Sequence, residues 1–173
     1  MKWTVRRATP ADAGRIAEIK IAGWRSAYRG LVPGEFLDGM RQQDHEAQWA
    51  GWLAAGWVVF LAIGEDGVIG AFAYVAPVHA EADRHPRLPT GELGAIYTDP
   101  RLRGEGAGTA VHDAGLEYLA AQGFRHAVLW VLEGNAPSRR WYESRGWRCD
   151  GVTQPLGPAE LVEVRYSRQL SSV

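Results

Sequence analysis

Apolar positions along the chain fall into two periods. Short runs rich in Val, Ile, Trp, Tyr and Phe predict strands over residues 3–8, 57–63, 68–75, 92–98, 126–132, 147–153 and 160–168. The runs at 57–63, 68–75 and 126–132 are apolar on successive residues, so both sheet faces are expected to be covered there. Asp66 and Gly67 between the first two form a hairpin turn signal. A 3.6-residue period appears between the strands. Thr9 reads as an N-cap, with Pro10 at the first helical position and Asp12 near the positive helix end. The helix that follows carries Ile16, Ile19 and Gly23 on one face and Trp24 and Tyr28, four apart, on a neighbouring one. Gly30 and Pro33 break it. A second helical region, with Phe36, Leu37, Met40, Trp49, Trp52 and Leu53, runs to Gly56. A third spans 108–122, with Val111, Gly115, Tyr118 and Leu119 at helical spacing and Gly123 at the C-terminal cap. A short fourth spans 138–145, with Asn135 as N-cap, Pro137 in the first turn and Gly146 at its end. The order β-α-α-β-β-β-α-β-α-β-β predicts an α/β (α+β) fold: a mixed, mostly antiparallel sheet flanked by helices, one domain over residues 1–173.

The stretch from Asp99 to Ala110 joins the end of one strand to the start of a helix. Gly104, Gly106 and Gly108 strip it of side chains, so the N–H groups of the first helical turn can approach a ligand with the positive helix end behind them. That is a site for a phosphate or pyrophosphate. A Walker loop would need Lys-Ser/Thr after the last glycine, where Thr109-Ala110 stands, and Gly-x-Gly-x-x-Gly fails at Thr109 or Val111. What remains is Arg103-x-x-Gly106-x-Gly108. This motif resembles the signature of the GNAT superfamily of N-acetyltransferases, Arg/Gln-x-x-Gly-x-Gly/Ala. A second resemblance lies downstream: Asn135, then Trp141-Tyr142-Glu143-x-x-Gly146-Trp147, with Trp147 where the family usually has Phe. Trp24-Arg-x-x-Tyr28-Arg-Gly30 is similar to one subgroup of the same family. The element order matches the GNAT fold over nearly the whole chain.

The resemblance implies an acetyl-coenzyme A site. Arg103, Gly104, Glu105, Gly106, Ala107, Gly108 and Thr109 would hold the pyrophosphate, and the main chain of Ile96, Tyr97 and Thr98 would pair with the pantetheine arm like an added strand. Asn135 and Ser138 would contact the cofactor. Tyr142 would be the acid beside the thioester sulfur, and Glu92, which would open the central strand, the base for the acceptor amine. On residue type alone, Asn135 reads equally as a cap, Arg103 as a solvated cation, Glu92 as an ion-paired surface acid, and Tyr142 as a packing residue, a part that Trp141 would otherwise take. Tyr97 and Glu133 are further candidates for the base. Trp24 and Tyr28 read as acceptor-pocket walls or as core. Cys149 reads as a half-buried strand cysteine with nothing spaced to activate it.

Composition narrows the partners. Nineteen basic residues against 20 acidic ones give no field toward nucleic acid or anionic membrane. A single cysteine excludes an internal disulfide framework and suits the cytoplasm; no apolar run reaches membrane-span length. His79, Glu81, Asp83 and His85 lie in the polar loop 77–89 without a closed ligand spacing, so no metal is expected. Homodimers are common in the family, and eight tryptophans are compatible with one. The expected function is N-acetylation of a small-molecule amine by direct transfer; a protein or peptide N-acetyltransferase and a non-catalytic acyl-coenzyme A-binding module are the alternatives.

Overall fold

The computed structural model describes residues 2–157 and 161–171. Seven strands form one sheet among the described residues: β1 (Trp3–Arg7), β2 (Val58–Gly64), β3 (Ile69–Pro77), β4 (Thr90–Thr98), β5 (His126–Leu132), β6 (Arg148–Leu156) and β7 (Leu161–Gln169). They lie in the order β1-β2-β3-β4-β5-β7-β6. Every neighbouring pair is antiparallel except β4 and β5. Among the same residues five α-helices accompany them: α1 (Ala13–Ala27), α2 (Gly34–Asp38), α3 (Gln42–Ala54), α4 (Ala107–Ala121) and α5 (Ala136–Glu143). The α/β architecture read from the sequence is the one observed. No helix among the described residues is long and apolar enough to cross a membrane.

Helices cover both sheet faces, as the doubly apolar strands require. Ile16 and Ile19 of α1 and Trp49 of α3 bury against Leu61 and Phe72 on one face. Val111 and Leu119 of α4 bury against Ala73, Val75, Leu93 and Leu129 on the other. Each Val, Leu, Ile or Phe side chain among them contributes about 1.5–3 kcal/mol of burial. Trp147, in the usual Phe position, is 1% exposed, and its indole N–H donates to His112 Nε2 at 3.0 Å.

Local departures from the sequence reading have identifiable causes. The helical region to Gly56 is two helices, because the Arg25 guanidinium donates to the carbonyls of Leu37 and Met40 and ends α2 there. Glu92 is the third residue of β4, since Thr90 and Gly91 already pair with His126 and Ala127. α5 starts directly after Asn135, whose side chain accepts from Ser138 N–H. Cys149 is exposed, because β6 is the sheet edge. Tyr142 is the buried member of its pair and Trp141 the half-buried one, the reverse of what was expected. The expected turn at Pro158 and strand start at Glu160 lie outside the described residues.

The functional consequence of the topology lies between β4 and β5. Parallel neighbours need a crossover, which α4 supplies. They pair only at Thr90, Gly91 and Glu92, opposite His126, Ala127 and Val128. Beyond Glu92 the strands part. A bulge on β4 accompanies the parting: Leu93 faces Val75 and Ala95 faces Tyr74, leaving Gly94 unpaired. The Tyr74 ring covers this residue so closely that a Cβ at Gly94 would lie 2.7 Å from it.

Candidate active site

The parting of β4 from β5 opens a cleft of about 900 Å³, bounded by α1, the α4 N-terminus and α5. It is large enough for an extended cosubstrate plus a small acceptor.

One end is built on the glycine turn. Asp99 caps the short 3₁₀ turn after β4, accepting from Arg101 N–H at 3.0 Å and from the Arg15 guanidinium of α1 at 2.6 Å. Those contacts hold its carboxyl well below the usual range, the Arg101 side chain most of all. On the other side, Trp3 of β1 donates its indole N–H to the Glu105 carbonyl at 2.7 Å. Between these anchors Gly106 takes a left-handed conformation, φ 92°, as the α4 N-cap. The first intrahelical bond is Ala110 N–H to Gly106 carbonyl, so the N–H groups of Ala107, Gly108 and Thr109 precede the ladder. Nothing within 4 Å would meet a Cβ at Gly104, so the turn has open space over it. Two cations flank it. Arg103 reaches the Ser26 hydroxyl of α1 at 2.9 Å, and Arg145 reaches the Thr109 hydroxyl at 2.6 Å while lying 3.8 Å over the Trp141 ring. A pyrophosphate fits this set: free amides at a positive helix end, no side chain in the way, arginines on both sides.

Ile96, Tyr97 and Thr98 continue from the turn along the part of β4 that β5 has left. Ile96 packs toward α4 and Tyr97 toward α1. Of the residues expected to hold the cofactor, Glu105 alone does not line the cleft.

Midway, α5, the end of α1 and β4 bring three phenols together, Tyr142, Tyr28 and Tyr97. Tyr142, 8% exposed, and Asn135, 5% exposed, face the cleft beside half-buried Ser138. Trp24 meets Tyr28 edge-on at 4.8 Å and donates its indole N–H to the Tyr97 hydroxyl at 2.8 Å. Burial pushes all three phenols up, and the neighbouring Tyr28 adds to the effect on Tyr142. They keep their protons at any working pH.

The far end carries carboxylates among aromatic rings. Glu92 is half-buried on β4, and burial, then Asp83, push it up. Glu163 of β7, also pushed up by burial, accepts from the Gln154 side-chain amide at 2.9 Å. Trp52 stacks on Trp57 at 4.4 Å, and Trp57 on Tyr74 at 4.3 Å. Sequence reasoning missed Glu163, Trp52, Trp57, Tyr74 and Lys20 in this role. Glu133, the further candidate for the base, is not among the lining residues; its backbone carbonyl accepts from Arg139. In the polar loop, Asp83 accepts from Arg165 and Trp130, and His85 Nδ1 accepts from Arg87 and Leu88 N–H.

The protein-family model described as Acetyltransferase (GNAT) family matches residues 21–147. The chain is 33% identical over 141 residues to the N-acetyltransferase YuaI of Bacillus subtilis, covering 82% of this chain and 78% of that protein. It is 31% identical over 126 residues to an aminoglycoside N(6')-acetyltransferase type 1 of Stenotrophomonas maltophilia, covering 68% and 73%. In fold it is similar to the PaiA N-acetyltransferase of Thermoplasma acidophilum, solved in complex with coenzyme A, with a TM-score of 0.76 at 13% identity over 95% of this chain and 98% of that one. With the family's two motifs seated on the walls of one cleft, the chain belongs to the GNAT family of acetyltransferases.

Proposed function

We propose that this protein, acting as one domain, transfers an acetyl group from acetyl-coenzyme A directly to the amine of a small molecule. The observation that carries the reading is the continuity of the cleft: free helix amides at one end, buried phenols midway, desolvated carboxylates at the other. Acetyl-coenzyme A supplies the acetyl group activated as a thioester. The amides of Ala107, Gly108 and Thr109 bind its pyrophosphate, with Arg103 and Arg145 beside them. The open edge of β4 at Ile96, Tyr97 and Thr98 hydrogen-bonds its extended arm, and Asn135 and Ser138 bound it from α5. Glu92 accepts a proton from the acceptor ammonium, which is not nucleophilic until it loses one. Tyr142 directs its hydroxyl at the departing sulfur. A phenol pushed up by burial keeps its proton, so Tyr142 acts as a hydrogen-bond donor to the developing negative charge. Trp24 and Tyr28, which line the cleft, bound the acceptor.

Two further facts support the finer parts. Cys149, the sole cysteine, is exposed on β6 away from the cleft and so offers no thiol for a covalent acetyl-enzyme. The aminoglycoside acetyltransferase relative is named for a small amine acceptor. The test is thiol release from acetyl-coenzyme A over a panel of small amines, with both substrates varied. Intersecting initial-rate lines are expected. Parallel lines would overturn direct transfer, and no release with any amine would overturn the reaction.

A further inference from the structure

Beside the aromatic end of the cleft stands a lysine that, among the described residues, no carboxylate pairs with. Lys20 points from α1 into the cleft, half-buried, its Nζ 5.9 Å from the centroid of the Trp49 ring. The carboxylates of α1 and α3 lie elsewhere. Glu18 pairs with Arg15 at 2.9 Å, Asp44 with Arg41 at 3.6 Å, and Glu46 lies over Gly14. Burial lowers the Lys20 pKa, with no carboxylate acting against it. A desolvated ammonium without a counter-charge is costly, and an anionic ligand group would relieve that cost.

The opposite charge stands across the same space. Glu92 and Glu163 line it, and among the described residues Glu163 is met only by the neutral amide of Gln154. A run of rings links the two signs of charge. Trp49 under Lys20 meets Trp57 edge-on at 6.5 Å, Trp57 stacks on Tyr74 at 4.3 Å, and the Tyr74 phenol feels the charge of Glu92. Trp52 extends the stack outward. A ligand complementary to these walls carries an anion, an amine and a flat or apolar body.

We infer that the acceptor is a small amino acid with an apolar or aromatic side chain, its carboxylate on Lys20, its amine toward Glu92 and Glu163, and its side chain along Trp52, Trp57 and Tyr74. This rests on the acetyl-transfer reading and names its acceptor. The amine nitrogen forms the amide C–N bond as the thioester C–S bond breaks. One ammonium proton passes to Glu92 and on to solvent before attack; a second leaves the nitrogen as the amide forms and ends on the thiol. Lys20 touches only the carboxylate and sets specificity.

Matched acceptors test this: phenylalanine against phenethylamine, tryptophan against tryptamine, leucine against isopentylamine, with cadaverine and kanamycin as acceptors lacking a carboxylate. For at least one pair, kcat/KM is expected to favour the amino acid by about tenfold or more, the worth of one well-placed ion pair. Lys20→Gln should bring that ratio to about one, and Lys20→Arg should retain most of it. Equal or better use of the carboxylate-free member in every pair, or turnover of cadaverine or kanamycin alone, would overturn the inference and leave the acetyl-transfer reading intact. An unchanged ratio in Lys20→Gln would overturn the role of Lys20. Absence of turnover with every amine would overturn both.

Discussion

Burial raises the pKa of Tyr142 and of Glu92, and the proposed reaction uses the two shifts differently. The phenol stays protonated and can donate to sulfur; the carboxyl moves closer to the pH at which it can take up and release a proton. Tyr142→Phe keeps the ring and its packing, so kcat should fall by about ten- to a hundredfold with acetyl-coenzyme A affinity unchanged, read by steady-state rates beside calorimetry. A group with a raised pKa loses its base function as the pH falls through that value, so the acidic limb of kcat/KM should lie above the ordinary carboxylate range of about 4.3. Glu92→Gln should remove that limb and lower the rate at neutral pH by about tenfold or more, with partial recovery at high pH as free amine accumulates. An unaltered profile would take Glu92 out of the mechanism. Asn135 and Tyr142 were legible because both belong to a spaced motif. Glu163 and Lys20 were not: a single charge on a strand or helix does not say which way it faces, and the folding partners that desolvate it are distant in sequence. The Trp141–Tyr142 pair was read in reverse, because an eight-residue helix with two adjacent aromatics does not announce which one faces the sheet.

At the scale of elements, the glycine spacing was enough to locate the turn, and its supports were not visible. Asp99 and Arg15 are 84 residues apart, Trp3 and Glu105 are 102 apart, and no local pattern joins either pair. Gly106→Val would force a β-branched residue into φ 92°, costing about 1–3 kcal/mol, and would crowd the amides of α4. Calorimetry should read a fall in acetyl-coenzyme A affinity of about tenfold or more, with the circular dichroism spectrum retained. Asp99→Asn removes the anion from between two guanidinium groups, one of them exposed, and should lower stability by about 1–3 kcal/mol at neutral pH, measured by urea unfolding. The folded carboxyl ionises at lower pH than the unfolded one, so its contribution is complete above about pH 4 and fades as the pH falls toward the folded value. The difference between wild type and Asp99→Asn should therefore shrink in acid. A constant difference would assign the loss to packing instead of charge.

At the scale of the whole molecule, strand and helix order predicted the sheet and its mixed character. The cleft itself was beyond the sequence, because the parting of β4 from β5 after Glu92 and the Gly94 bulge are matters of register between strands that the chain pattern leaves open. The central claim is that acetyl-coenzyme A lies along the open edge of β4 with its pyrophosphate on the α4 N-terminus. Backbone hydrogen exchange, followed by mass spectrometry with and without acetyl-coenzyme A, tests it most directly. Peptides spanning Ile96–Thr98 and Gly104–Thr109 should exchange markedly more slowly with the ligand present, while those of β1, the β2–β3 hairpin turn and the edge strand β6 stay unchanged. Slowing confined to those distant strands, or none at the glycine turn at saturating ligand, would contradict the account.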